Sequence, residues 1–157
     1  IRDEASKRGR DVHKWIESYA KGQNPELPKD RDIRGYVQCF LDWIAEQKID
    51  LLSAEVMVFN KRKMYCGTLD LIGKRGEENL LIDIKTSSSI YPEYLMQTAA
   101  YQAAYEQMKL GKIDKRIVLK LSSRKPADHI ETDEFKKDYG GFLSALGIFN
   151  FVRDFNK

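Results

Sequence analysis

The central part of the chain, from residue 51 to residue 85, holds three segments rich in strand-forming residues that are separated by polar turns. The composition predicts strands over Leu51–Phe59, Met64–Ile72 and Leu80–Lys85. The turns cover 60–63 and 73–79, and the second contains two glycines. Short turns between strands favour antiparallel pairing, so the segment predicts a three-stranded meander. Such a sheet needs other elements to cover its apolar surface.

Helical patterns flank this meander on both sides. Apolar spacing predicts helices over 4–20 and 30–47 before it, and Pro92 begins a third helix that runs to about Met108. A fourth strand over Lys115–Leu121 and a last helix over 132–155 complete the chain, and the glycine pair 140–141 is a candidate break in that helix. The order predicts an α/β fold with a mixed β-sheet core (α-β-β-β-α-β) flanked by helices.

Length and composition limit the class of protein. The 157 residues are 42% hydrophobic, which suits one domain over 1–157; a further N-terminal segment before Ile1 is an open alternative. No apolar run approaches the ~20 residues of a membrane span, so we expect no membrane partner. The low cysteine content favours an intracellular, cytoplasmic protein, with a nucleoid-associated, phage-encoded or organellar protein as the alternative. Two cysteines are too few for a disulfide framework or a cysteine-held metal site. The net charge of +3 does not by itself identify a nucleic-acid binder.

Two aspartates are expected to face each other across the second hairpin. If the turn is centred between Gly76 and Glu77, Asp70 lies opposite Asp83, with Cβ atoms ~5 Å apart. Opposed carboxylates repel each other, and a divalent cation such as Mg²⁺ would compensate. Lys85 is two residues from Asp83 and therefore shares its face of the strand.

A third carboxylate belongs to the first hairpin. Centring its turn between Lys61 and Arg62 puts Glu55 opposite Thr68 and diagonal to Asp70. Three carboxylates beside a lysine suit metal-assisted phosphodiester hydrolysis, in which the cation activates a water and the lysine supplies positive charge. The alternative is a solvated strand face with ordinary salt bridges.

The first helix carries His13 and Glu17 on one stripe, because they are four residues apart. His13 could complete a metal site through an imidazole nitrogen, or it could be a partly buried histidine satisfied by Glu17. Arg10, in a basic cluster with its neighbours, could contact phosphates or belong to a solvated helix face.

The third helix carries Gln97 and Tyr101 four residues apart, with Tyr94 on the neighbouring turn. These side chains suit hydrogen bonding to a nucleic-acid backbone and stacking on bases. The alternative is an amphipathic helix that buries aromatic rings.

The ordered motifs resemble those of the PD-(D/E)XK nucleases, whose core is restriction-endonuclease-like. They are most similar to the RecB-like exonuclease branch, which includes phage, bacterial and mitochondrial genome-maintenance members. The resemblance covers about two thirds of the chain and rests on Gly9-x3-His13-x3-Glu17, Glu55, Gly67-Thr68-Leu69-Asp70, Asp83-Ile84-Lys85 and Gln97-x3-Tyr101. Leu69 stands where many relatives have proline, and the two cysteines cannot hold the iron–sulfur cluster of some relatives.

The resemblance implies a deoxyribonuclease that uses Mg²⁺ or Mn²⁺. Its implied metal ligands are His13, Asp70, Asp83 and the backbone carbonyl of Ile84. Lys85 would be the catalytic lysine, and Glu55 would assist at or near the metal. Gln97 and Tyr101 would position the substrate or support the site.

Exonuclease action on DNA ends or single strands, in repair, recombination or replication, is the favoured mode, and proteins of DNA repair or phage replication are potential partners. A structure-specific or restriction-type endonuclease and a catalytically silent DNA-binding module remain alternatives. The sequence leaves the polarity of digestion, the number of metals and the oligomeric state open.

Overall fold

The computed structural model describes residues 2–156, apart from the side chain of Arg2. Four helices and five strands follow one another along these residues. They are α1 (Arg2–Ala20), α2 (Arg31–Gln47), β1 (Asp50–Asn60), β2 (Tyr65–Arg75), β3 (Glu78–Lys85), α3 (Pro92–Gln107), β4 (Lys115–Lys120), β5 (Asp128–Thr132) and α4 (Phe135–Phe155).

The strands form one mixed sheet in the order β1-β2-β3-β4-β5. The pair β3–β4 is parallel and the other three pairs are antiparallel. Helix α3 is the crossover that a parallel pair requires. The predicted α/β class, a mixed sheet flanked by helices, is confirmed.

Two apolar cores cover the two faces of the sheet. The first core joins α1 and α2 to the sheet and includes Val12, Phe40, Ile82 and Ile84. The second core packs α3 against the opposite face through residues such as Ala104. Each fully buried large apolar side chain contributes about 1.5–3 kcal/mol, so these cores hold the helices that frame the sheet.

The C-terminal part of the chain differs from its prediction. The short strand β5 was not predicted, because its five residues alternate between polar and apolar without a long apolar run. Helix α4 begins at Phe135 and runs through Gly140 and Gly141 without a break. Gly141 allows a close helix contact instead, since a Cβ there would lie 2.8 Å from Met96 Sδ.

The register of the second hairpin agrees with its prediction. Gly73 pairs with Leu80, and the ladder ends at the pair Leu71–Ile82. Asp70 and Asp83 are the next residues beyond that pair, one on each strand. The predicted turn over 73–79 is longer than the observed one, because β2 and β3 continue to a tight turn at 76–77.

The register of the first hairpin was predicted wrongly by two residues. Thr68 pairs with Met57, not with Glu55. The connection spans four residues, 61–64, because the Asn60 side chain accepts a hydrogen bond from Lys63 N at 3.0 Å and Met64 takes a left-handed conformation (φ 56°). The true turn is therefore centred one residue later than a turn between Lys61 and Arg62.

The helices that the structure describes include none with both the length and the apolar character that crossing a membrane requires.

Candidate active site

In β1 and β2, the alternation of side chains between the two cores is interrupted at Glu55 and Asp70. The pair Ala54–Leu71 belongs to the first core, whereas the pair Val56–Leu69 belongs to the second. In a regular strand, residues two apart share a face. Glu55 lies at the change with a left-handed backbone (φ 53°), which costs a non-glycine residue about 1–3 kcal/mol. Backbone strain of this kind concentrates at functional sites.

Asp70 connects three elements at this point. Its Oδ1 lies 3.3 Å from His13 Nδ1 of α1, and its Oδ2 accepts a hydrogen bond of 2.6 Å from the backbone N–H of Ile84 in β3. The β2–β3 ladder runs only to Leu71–Ile82, so the Asp70 side chain bonds an amide beyond the last strand pair. Asp70 is therefore held between α1 and the last residues of β3, beyond the end of the β2–β3 ladder.

Helix α1 lies close to the end of β3 because residue 9 is glycine. A Cβ at Gly9 would be 3.2 Å from Thr86 Oγ1, which immediately follows β3. His13 is one helical turn further along the same stripe, and it reaches Asp70. The spacing of Gly9 and His13 thus brings an imidazole to the carboxylates of the sheet.

His13, Glu55 and Asp70 form a group that could hold a metal ion. Each offers one ligand atom, and the three atoms lie within 4.8 Å of one another. Burial raises the pKa of Glu55, and the negative charges of Asp70 and Glu17 raise it further. A cation between these side chains would relieve that repulsion. Glu55, predicted to assist at or near the metal, lies within the ligand group itself.

Asp83 lies beside this group and is almost fully buried, with 3% of its surface exposed. Burial and the charge of Asp70 raise its pKa to about 6, although the Lys85 charge opposes this. Its Oδ2 is 2.8 Å from Lys85 Nζ, yet among residues 2–156 no donor reaches that oxygen with good hydrogen-bond geometry. An under-satisfied buried carboxylate is costly, and a bound cation would satisfy it.

The protonation of His13 responds to the same charges. Burial alone would lower its pKa, but the hydrogen bond to Asp70 and the charges of Asp70 and Asp83 outweigh burial and raise it. A histidine must be neutral to bind a metal, so metal binding here would release a proton.

A row of hydrogen bonds continues from Lys85 onto α3. Lys85 Nζ donates to Gln97 Oε1 at 3.0 Å, and Gln97 Nε2 donates to the Tyr101 hydroxyl at 2.9 Å. The Lys85 ammonium also lies 4.5 Å from the centre of the Tyr94 ring, within the range of a cation–π contact. Burial and the charge of Asp83 raise the pKa of Tyr101. The row fixes the ammonium between Asp83 and α3.

Gly67 on β2 leaves room for the ring of Tyr101. A Cβ at position 67 would lie 2.4 Å from Cε1 of that ring, which is far inside van der Waals contact. Gly67 therefore determines where Tyr101 lies and, through it, where the amide of Gln97 lies.

Of the other predicted site residues, Glu17 and Arg10 pair with groups outside this centre, whereas Ile84 contacts it through its backbone. Glu17 pairs with Lys21 on its own helix and reaches Glu55 only through its charge. Arg10 is exposed, and the hydrogen bond that the described structure gives it is to Ser6 of the same helix. The Ile84 N–H binds Asp70; a metal-binding role of its carbonyl stays a prediction, as does a phosphate-binding role of Arg10.

Sequence reasoning missed the residues that border the row on its other side. Tyr65, Cys66 and Phe142 line an open groove next to Gln97 and Tyr101. They come from β2 and α4, which the sequence does not place side by side. The sequence signal that could have indicated this groove is the aromatic side chain of Tyr65 at the start of β2.

No protein-family model and no curated protein matches the sequence. Among solved structures, the chain is similar to a crystal structure from Eubacterium rectale that carries the name "Putative exonuclease". The TM-score is 0.58 and the sequence identity 13%. The match covers 93% of this chain and 65% of that protein, so the chain spans about two thirds of its length. The chain therefore shares the fold of that protein.

Proposed function

We propose that the chain is a divalent-metal-dependent deoxyribonuclease of the PD-(D/E)XK superfamily, of the RecB-like branch, acting as an exonuclease on DNA ends or single strands. The observation that carries the proposal is the adjacency of two features: the group of His13, Glu55 and Asp70, and beside it the ion pair between the buried Asp83 and the half-buried Lys85. The shared fold supports the same function, because the similar solved structure carries an exonuclease name.

The residues present fit a cation of the Mg²⁺ or Mn²⁺ class. Carboxylate oxygens are the ligands such ions prefer, and one imidazole is compatible with Mn²⁺. His13, Glu55, Asp70 and Asp83 would hold the ion, together with the Ile84 carbonyl. When bound, the ion would supply an activated water and positive charge at the attacked phosphate.

Lys85 would contribute a fixed positive charge next to that phosphate. Asp83 on one side and Gln97 on the other restrict its ammonium, and the Tyr94 ring lies against it. An ammonium has three N–H donors, so one direction stays available for a phosphate oxygen. Because Tyr101 holds the Gln97 amide, α3 positions the charge before substrate arrives.

The test is digestion of end-labelled linear DNA in Mg²⁺ or Mn²⁺ by the wild type, Asp83→Ala and Lys85→Ala. Removing a group that stabilises transition-state charge reduces kcat by about 10²–10³-fold, and we expect at least that loss in both variants. Lys112→Ala is the matched control. Lys112 is exposed and lies away from the site, where its ammonium is 2.7 Å from a carboxylate oxygen of Asp114. Activity that survives both site substitutions would overturn the proposal.

The mode of cleavage has its own test. An exonuclease leaves circular single-stranded DNA intact, whereas a structure-specific or restriction-type endonuclease cuts it. If neither substrate is degraded, titration calorimetry with Mn²⁺ distinguishes an inactive metal-binding protein from a DNA-binding module without a metal.

A further inference from the structure

An open groove of about 590 Å³ lies beside the Lys85–Gln97–Tyr101 row, between α3, α4 and the start of β2. This volume is within the ~300–1,000 Å³ of small-molecule sites. Its walls are mainly aromatic and apolar. They include Tyr65, Cys66, Glu93, Tyr94, Phe142 and Leu146.

Hydrogen bonds and ring contacts hold the aromatic wall of the groove in place. The Tyr65 hydroxyl donates to the Ala100 carbonyl at 2.9 Å and accepts from Asn60 Nδ2 at 3.3 Å. The Phe142 ring meets the Tyr65 ring edge-on, with centroids 4.8 Å apart. A ring held by two hydrogen bonds and a neighbouring ring loses little entropy when a ligand stacks on it.

The groove is continuous with the candidate active site. Gln97 and Tyr101 belong to both, and the Tyr94 ring that lines the groove also lies 4.5 Å from Lys85 Nζ. Whatever occupies the groove is therefore next to a phosphate held at Lys85. Glu93 is the one charged side chain among the lining residues, so a phosphate in the groove would be repelled while a neutral ring would not.

We propose that this groove binds an unpaired nucleobase next to the phosphate under attack. The inference rests on the proposed function. Sequence-tolerant stacking on aromatic rings is the usual way in which proteins hold unpaired bases. In a duplex the base faces are covered by their neighbours, so a base must leave the stack to reach these rings. Glu93 can accept a hydrogen bond from an exocyclic amino group of such a base.

The exposed thiol of Cys66 provides a direct probe of the groove. Cys66 is exposed and lines the groove, whereas Cys39 is buried and its burial raises the pKa of its thiol. A maleimide therefore labels Cys66 in preference to Cys39. We expect a single-stranded oligonucleotide, in EDTA to prevent cleavage, to slow the labelling in proportion to the fraction of protein bound. A blunt duplex bound to the same extent should leave the labelling rate unchanged.

A second measurement uses substitutions on α4. Ala145 lines the groove, and Ala145→Trp would fill it. The loss of one base–aromatic stack predicts about a 5- to 150-fold weaker Kd for the single-stranded oligonucleotide. Ser144→Trp is the matched control, because Ser144 is exposed on the adjacent position and is not among the groove residues. That control should bind the oligonucleotide as the wild type does.

The outcomes separate this inference from the proposed function. If the bound oligonucleotide leaves Cys66 labelling unchanged, or if Ala145→Trp binds it as tightly as the wild type, the inference is overturned. If Cys66 becomes protected when the protein concentration rises without any DNA, a second copy of the chain occupies the groove. That result would also overturn the inference. In each of these cases DNA digestion that depends on Lys85 and Asp83 would leave the proposed function in place.

Discussion

Replacing Gly67 with alanine should displace the Tyr101 ring from the strand that it covers. The new Cβ would lie 2.4 Å from Tyr101 Cε1 and 3.3 Å from Cδ1 and Cζ. Carbon atoms at optimal contact are about 3.5–4.0 Å apart, so the ring must move by roughly 1 Å. That movement would break or weaken the hydrogen bond of 2.9 Å between Gln97 and Tyr101.

The net effect on the free energy of unfolding follows from three contributions. Overpacking costs about 1–3 kcal/mol. The weakened hydrogen bond costs about 0.5–1.5 kcal/mol more. Alanine is better than glycine in a strand by about 0.5–1 kcal/mol, which offsets part of this. We therefore expect Gly67→Ala to destabilise the protein by about 0.5–4 kcal/mol.

Urea unfolding of a double-mutant cycle tests the cause. In a Tyr101→Ala background the clash is gone, so Gly67→Ala should stabilise the protein by about 0.5–1 kcal/mol. Gly147→Ala is the control: nothing lies within 4 Å of a Cβ at that helical position, so alanine should stabilise there by about 0.8–1 kcal/mol. If Gly67→Ala has the same effect in both backgrounds, within about 0.3–0.5 kcal/mol, the contact does not determine the position of Tyr101.

Three further predictions concern strain, metal binding and a buried ion pair. Because Glu55 has a left-handed φ of 53°, Glu55→Gly should be more stable to urea than Glu55→Ala by about 1–2 kcal/mol; equal stability would contradict the strain. A pKa raised to about 6 means that Asp83 stabilises the metal-free fold most at low pH and that this contribution is lost as the pH rises through 6. Mn²⁺ needs Asp83 deprotonated and His13 neutral, so the rise in Tm caused by Mn²⁺ should grow from about pH 5 to pH 7.5, and a constant rise would contradict this. Asp138→Ala removes the carboxylate that lies 2.8 Å from the buried Arg116 and leaves that guanidinium without an opposite charge. Thermal or urea unfolding should show a loss of about 3–5 kcal/mol, and a loss below about 1 kcal/mol would show that the pair does not anchor α4.

The regular elements and the second hairpin were predictable from the sequence because their signals are local. Gly76 marks a tight turn with a left-handed φ of 59°, and a two-residue turn fixes the register of both strands. Asp70 and Asp83 therefore fall opposite each other from sequence alone. The alternation of Ile82 and Ile84 likewise reports a buried face.

The position of Glu55 was not predictable in the same way. The first hairpin has no glycine in its turn, and its four-residue connection depends on the side chain of Asn60. The change of face at Glu55 also requires a left-handed conformation that the sequence does not indicate. Glu55 still reaches the site, because β1 changes the face that it turns to each core at this residue.

Tertiary packing explains two features that the sequence did not predict, the unbroken helix α4 and the groove beside it. The glycines of α4 indicate a break by propensity, yet Gly141 instead allows α4 to pack closely on Met96 of α3. That packing, together with the Arg116–Asp138 pair, places Phe142 beside Tyr65 and creates the groove. No periodic pattern in one segment reports a contact made between β2 and α4.

The central claim is that one site holds the metal and the lysine that act on DNA. A crystal structure with Mn²⁺ and a short single-stranded oligonucleotide tests it most directly, because the anomalous signal locates manganese. We expect manganese bound by His13, Glu55, Asp70 and Asp83, with a phosphate beside Lys85 Nζ. Manganese bound only elsewhere, or a strand whose phosphates do not approach Lys85, would contradict it.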